Sequence, residues 1–339
     1  MDSGFGRCLG STSMMESLAA LESAAQLVYT AMAPTPQQRW PLLEARCGTT
    51  LWVKHENHTP VGAFKVRGGL AYCDHLRRTQ PHLPGVVAAT RGNHGQSIGF
   101  AASRFGIPAA VVVPYGNSET KNAAMRALGV ELIESGHDFQ AALEASARVA
   151  TDRGWHYVPS FHPLLVRGVA SYSLELFRAV SLDVLYVPVG LGSGICGAIA
   201  VRDALNLKTK IVGVVSSEAP AYARSLALGT LVSHDATTRI ADGIACRTPD
   251  ADAFDIIRAG ADRVIEVTDD EVEDAMRALF TDTHNVVEGA GAASLAAVLQ
   301  ERAKLRGLTV GIVLTGANVD PQPFARILAA MSPNCSVRP

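Results

Sequence analysis

From residue 86 onward, short β-branched runs alternate with longer stretches of helical pattern. The runs at 86–89, 109–113, 130–133, 184–189, 211–215, 264–267 and 309–314 predict strands. Helices are predicted between them over 96–105, 118–128, 139–152, 164–180 and 269–282. Upstream, 51–54 predicts a short strand, and 18–33 predicts a helix with Leu18, Leu21, Ala25 and Val28 on one face. Strands separated by helices of this length imply parallel pairing through βαβ crossovers. The expected fold is α/β with open parallel sheets, and its ligands should lie beyond the carboxyl ends of the strands.

Composition narrows the picture. At 339 residues, 48% hydrophobic and 18% charged, the chain is neither disordered nor fibrous, and it is long enough for two domains sharing a cleft. Thirty basic against 32 acidic side chains leave a net charge of −2, which offers no field for nucleic acid or an anionic membrane. The densest basic cluster is only Arg77-Arg78. No segment reaches the ~20 apolar residues of a membrane span. The cysteines lie far apart with no Cys-x-x-Cys pair, so reduced thiols and a cytoplasmic setting are expected. Residues 1–15, rich in Gly and Ser, predict a flexible tail.

Three strand-to-helix loops stand out: Thr90-Arg91-Gly92-Asn93-His94-Gly95, Gly190-Leu191-Gly192-Ser193-Gly194 and Thr315-Gly316-Ala317-Asn318. Each can turn backbone amides and a helix N-terminus toward an anion. Glycines that merely make tight turns would explain any one of them; three together favour a shared site. The second loop suits a phosphate, because small residues let amides close around it. It also opens a rival reading, since Gly192-Ser193-Gly194-Ile195-Cys196-Gly197 matches G-x-G-x-x-G and Glu218 follows at a strand end. That would make the chain a Rossmann NAD-dependent oxidoreductase.

The stretch Pro60-Val61-Gly62-Ala63-Phe64-Lys65-Val66-Arg67-Gly68 adds a lysine in an apolar, glycine-rich setting. A lysine is ordinarily a solvated surface residue. Removed from water, its amine becomes a nucleophile or base. A reactive lysine together with a phosphate cradle is what a pyridoxal phosphate Schiff base requires.

These motifs, with Ala241-Asp242-Gly243-Ile244-Ala245 and Glu288-Gly289-Ala290-Gly291, resemble in type and order those of fold-type II (tryptophan synthase β-like) pyridoxal phosphate enzymes. The resemblance is to the threonine/serine dehydratase and serine racemase group, and runs from about residue 41 to 320. It implies two open twisted parallel-sheet domains with the cofactor between them. The large domain would comprise 16–84 and 162–339, and the small one 85–161. Lys65 would carry the cofactor and act in catalysis, with Phe64 packed nearby. Asn93 would bond the cofactor's phenolic oxygen, and Gly190, Leu191, Gly192, Ser193 and Gly194 its phosphate. Thr315 would face its pyridine nitrogen, with Gly243 and Glu288 alongside. Thr90, Arg91, Gly92 and His94 would meet the substrate.

The implied activity is β-elimination of a 2-amino-3-hydroxy acid to a 2-oxo acid and ammonia, by a homodimer. Amino-acid racemisation on the same fold is the alternative. Glu288 reads equally well as an ordinary acid at a helix start, Asp242 as a turn former, and Arg67 as a structural capping or pairing residue. His55-Glu56-Asn57-His58 invites a metal, but the neighbouring Val53-Lys54 and Pro60 predict a strand and turn there, so none is expected. Nor is a divalent cation expected near Glu218, a lone carboxylate. Because the chain ends soon after the catalytic motifs, no appended regulatory domain is expected.

Overall fold

The computed structural model describes residues 16–330, so the predicted tail lies outside the described residues. Among the described residues ten strands form two sheets: β1 (Gln37–Arg39), β2 (Thr50–Lys54), β3 (Val86–Ala89), β4 (Ala109–Val113), β5 (Glu131–Glu134), β6 (His156–Tyr157), β7 (Val184–Pro188), β8 (Lys210–Ser216), β9 (Arg263–Val267) and β10 (Thr309–Val313). Six strands run in the order β1-β2-β10-β7-β8-β9, and four in the order β5-β4-β3-β6. Every pairing is parallel except β1 with β2. Neither β1 nor β6 is foreshadowed by the sequence, because both are short and polar at the sheet edges.

The helices in chain order are α1 (Leu18–Tyr29), α2 (Pro41–Cys47), α3 (Lys65–Thr79), α4 (Asn93–Arg104), α5 (Glu119–Ala127), α6 (Phe139–Arg153) and α7 (Pro163–Ala179). They continue as α8 (Ser193–Ala204), α9 (Ala221–Leu228), α10 (Ala251–Gly260), α11 (Asp269–Thr283), α12 (Gly289–Glu301) and α13 (Pro321–Ala329). Local chemistry sets several starts: Ser118 caps α5, Asp138 caps α6, and Thr268 forms a capping box with Glu271 at α11.

β7 is buried along its whole length, and apolar clusters cover both faces of the six-stranded sheet. Tyr186 points into one cluster and Val187 into the other, as the two-residue strand period requires. Each fully buried large apolar side chain contributes roughly 1.5–3 kcal/mol; a charge at Val187 would break this layer. Helix α3 lies in a third cluster, where Val66, Leu70 and Leu76 pack with Val86 and Ala88 of the four-stranded sheet and with Ile98 of α4. The lysine-bearing helix is thus a wall shared by both halves.

Around residues 55–58 the structure has the strand and turn that the sequence predicts. The strand ends at Lys54 and a single 3-10 turn follows over Glu56–His58. The turn stacks His55 and His58 with ring centres 5.0 Å apart. His55 accepts from Trp40 Nε1 at 3.1 Å and shares a 3.3 Å hydrogen bond with Asn57, and His58 meets Asn285 at 2.7 Å. Burial pushes His55 down to about 4, so it stays neutral within a structural network. Among the described residues no group of three or more His, Cys, Asp or Glu is placed to hold a metal ion.

Candidate active site

Lys65 is the first residue of α3. Just before it, Ala63 forms an antiparallel bridge with Gly316. The Phe64 amide donates to Thr315 O at 3.0 Å, and the Ala317 amide to Gly62 O at 2.8 Å. These bonds join the lysine segment to the loop after β10. On the other side the Phe64 ring stands edge-on to Tyr172, 6.1 Å away at 88°. The Tyr172 hydroxyl in turn donates to Gly194 O at 3.1 Å. Lys65 therefore sits beside the glycine loop, its amine 5.2 Å from the centre of the Phe64 ring. Burial pushes that amine down to about 8, against the pull of the Glu288 carboxylate.

The loop after β3 meets the same place from the other sheet. Thr90 is buried, and its hydroxyl accepts from the Gly92 amide at 2.9 Å. Asn93 opens α4 and bonds in two directions. Its Nδ2 donates to Glu288 Oε1 at 2.7 Å, and its Oδ1 accepts from Asn318 Nδ2 at 2.8 Å. Asn318 also donates to Val61 O at 2.9 Å, which closes a ring of loops. His94 is pushed down to about 3, first by burial and then by Lys65, and its Nε2 has no partner. Arg91 stands apart, exposed on the wall of the cleft.

Glu288 precedes α12 as its N-cap residue but makes no side-chain capping bond. Its carboxyl reaches Asn93 instead, and its Oε2 is buried without a partner. Burial, then the Asp242 carboxylate, raises it to about 7, while Lys121, Asn93 and Lys65 oppose the shift.

The third component joins β7 to α8. Gly192 adopts φ +105°, and a Cβ there would lie 2.8 Å from Ala253 Cβ. A Cβ on Gly190 would lie 2.5 Å from the carbonyl oxygen of Gly243, so both glycines are needed sterically. Leu191 O accepts from the Tyr222 hydroxyl at 2.9 Å, and Ser193 begins α8. The Cys196 amide donates to Gly192 O at 2.9 Å. The amides ahead of it belong to the first turn, which has no intrahelical acceptors and suits an anion. Glu218, which a dinucleotide site would need free, accepts instead from Thr237 at 3.1 Å.

A buried amine held below its ordinary basicity, a cradle that a single Cβ would obstruct, and unpartnered buried atoms on Glu288 and His94 fit an aldehyde cofactor bearing a phosphate. Comparison with known proteins agrees. A profile described as "Pyridoxal-phosphate dependent enzyme" matches residues 28–316, and the chain belongs to that family. Pyridoxal phosphate is its cofactor, and its fold is the fold-type II α/β architecture of the threonine/serine dehydratase group.

Within the family, the chain is 36% identical over 288 residues to an L-threonine ammonia-lyase of Geobacter sulfurreducens, covering 84% of this chain and 71% of that one. It is 34% identical over 283 residues to an L-threonine ammonia-lyase of Thermotoga maritima, covering 83% and 70%. The solved structure of maize serine racemase superposes with a TM-score of 0.86 at 27% identity, covering 92% of this chain and 96% of that one.

Sequence reasoning did not single out Tyr172, Lys121 or Glu175, and it gave Asn318 and Glu56 no pairing role. Asn318 ends a motif already noted, and its place there was the available signal. Tyr172 and Lys121 read as ordinary members of helical stretches, and nothing local marks them. Arg67 is fully buried and bidentate to Glu56 at 2.7 and 2.9 Å, and it bonds Glu175 at 2.6 Å.

Proposed function

We propose that this chain is an ammonia-lyase that converts a 2-amino-3-hydroxy acid of the threonine and serine type into a 2-oxo acid and ammonia. The observation carrying the reading is the buried Lys65 amine, lowered to about 8 and set beside the glycine loop. The likeness to two L-threonine ammonia-lyases over more than four-fifths of the chain supports it.

Pyridoxal phosphate supplies an electron sink for the negative charge that develops at the substrate's Cα. The chain's own residues do the rest. The Gly190–Gly194 amides, at the N-terminus of α8, would hold the cofactor's phosphate. Thr90, Gly92 and neutral His94 would receive the substrate carboxylate, and Asn93, held by Glu288, would bond the cofactor. Lys65 Nζ takes the proton from Cα, the β-hydroxyl leaves as water, and one water returns in hydrolysis to the 2-oxo acid and ammonia. Burial of Lys65 and Glu288 keeps water from competing for the proton.

Racemisation needs a second acid/base on the face opposite Lys65. Arg91 lies in the loop expected to meet the substrate, and its guanidinium stays protonated, so it cannot accept a proton there. The proposed arrangement is a cytoplasmic homodimer built from a body of 16–84 and 162–339 and a lobe of 85–161, with α3 as the common wall. The four described cysteines are buried and unpaired, which suits a reducing compartment. Among the described residues no helix is long and apolar enough to cross a membrane. A 2-oxo acid assay on the yellow holoenzyme across threonine, serine and 3-substituted serines tests the reading. Faster appearance of the opposite enantiomer than of 2-oxo acid would replace it with racemisation.

A further inference from the structure

The cleft between the two sheets, about 370 Å³, has Arg91, Ser118 and Lys121 on one wall and Asp242, Glu288 and Asp320 on the other. Besides the Asn93–Glu288 bond, two sets of contacts near its mouth span it. Lys121 Nζ lies 2.6 Å from Asp242 Oδ2. Ser118 Oγ donates to Asp320 Oδ1 at 2.6 Å, and the Thr120 hydroxyl donates to the same oxygen. Asp320 is the N-cap residue of α13, yet it makes no capping bond there. Its carboxylate is committed across the cleft to the start of α5 instead.

The ion pair also touches both loops of the site. The stem of Lys121 lies on Gly92, where a Cβ would come within 2.6 Å of Lys121 Cδ. On the far side Asp242 adjoins Gly243, whose carbonyl oxygen abuts Gly190. One contact thus links the loop after β3, on the four-stranded sheet, to the glycine loop after β7, on the six-stranded sheet. The Lys121 side chain is only 11% exposed, against 39% for Asp242. An ordinary surface pair would leave both ends mobile in water and link nothing.

We propose that Lys121 and Asp242 form a positioning gate: the pair closes over the cleft on bound substrate, fixes the two loops relative to each other, and separates to let molecules pass. The identity of those molecules rests on the proposed function; the gate itself rests on the geometry. Closure favours the bound state, so losing the pair weakens substrate binding more than it slows the chemistry. Ions compete with the exposed Asp242 end, so salt acts in the same direction.

The test uses Lys121→Met, which keeps the stem on Gly92, and Asp242→Asn, which keeps the shape of the turn. For the holoenzyme acting on 3-hydroxy amino acids, each variant is expected to raise KM about tenfold while kcat changes less than about threefold. KM of the wild type is expected to rise between about 0.05 and 0.5 M salt, and that rise should vanish in both variants. In cofactor-free protein, amide hydrogen exchange across residues 90–95 and 118–127 should quicken about tenfold in each variant. Unchanged KM, salt response and exchange would overturn the gate, and so would a fall in kcat and melting temperature with no change in KM. A wild type silent toward every 3-hydroxy amino acid would sink the proposed function alone, because exchange in the cofactor-free protein still decides the gate.

Discussion

Asn93 and Glu288 come from opposite sides of the cleft and share a 2.7 Å hydrogen bond, made by a glutamate that forgoes the helix cap its position offers. The bond leaves Glu288 buried, with one oxygen unpartnered and its carboxyl raised to about 7. A helix-start acid favoured by the dipole would be exposed and held low, so the side chain is placed for the cleft rather than for α12.

The shift has a consequence for stability. In the unfolded chain Glu288 titrates near 4.5, and in the folded chain near 7. Between those values the folded protein keeps a proton that the unfolded one has released, so this group's contribution falls as pH rises through the window and levels off above it. Glu288→Gln in cofactor-free protein should match the wild type near pH 4.5 and exceed its stability by on the order of 2 kcal/mol at pH 8. Urea unfolding at several pH values reads this directly, and parallel pH profiles for the two proteins would refute it.

Lys65 carries the most specific expectation. Lys65→Ala should lose roughly 10³-fold or more of turnover, the loss expected when the base and the cofactor anchor go together. Borohydride reduction of the wild-type holoenzyme should fix the cofactor on the peptide containing Lys65, as seen by mass spectrometry. Because burial holds the amine near 8, the rate at which cofactor-free protein takes up the aldehyde should climb with pH and flatten just above 8. A rate still rising at pH 10 would mean an amine in water.

The parts of this site that are legible in the sequence are those whose chemistry is local. The glycine loops announce themselves because only small residues let backbone approach backbone, as Gly190 does to Gly243. Lys65 is conspicuous through its apolar neighbour and flanking glycines. Lys121 is not, since Ser118-Glu119-Thr120-Lys121 is the pattern of any capped surface helix, and its partner Asp242 lies 121 residues away. The strands of the sheet interiors are legible for the same reason as the loops, being continuous apolar runs, whereas β1 and β6 exist only because a neighbouring edge accepts them.

Arg67 supplies a stability test. Its guanidinium and the carboxylates of Glu56 and Glu175 are all nearly or fully shielded from water, and Lys54 pairs with Glu175 at 2.5 Å. Arg67→Leu leaves two buried carboxylates with one cation between them. It should destabilise the protein by about 3–5 kcal/mol, and a loss below about 1 kcal/mol in denaturant unfolding would contradict the assignment. Replacing Glu56 with Gln in the same background should recover part of the loss, because one uncompensated charge is removed.

The phosphate cradle can be tested without touching any charged group. Gly190 faces the Gly243 carbonyl so closely that an added Cβ would stand 2.5 Å from the oxygen, a separation no methyl group tolerates. Gly190→Ala must therefore shift either the glycine loop or the short 3-10 turn at Asp242–Ile244. Overpacking of this kind costs about 1–3 kcal/mol, which a protein with two extensive cores survives. The displaced amides, however, no longer converge on one point, and convergence is what makes a helix N-terminus bind an anion. Cofactor affinity in the folded variant should fall at least tenfold, read from visible absorbance as the holoenzyme is diluted. Turnover at saturating cofactor should recover most of its wild-type value, because Lys65 and Asn93 are not displaced. Unchanged affinity would place the phosphate elsewhere, and affinity lost together with irrecoverable turnover would show that the loop positions the reacting groups as well as the phosphate.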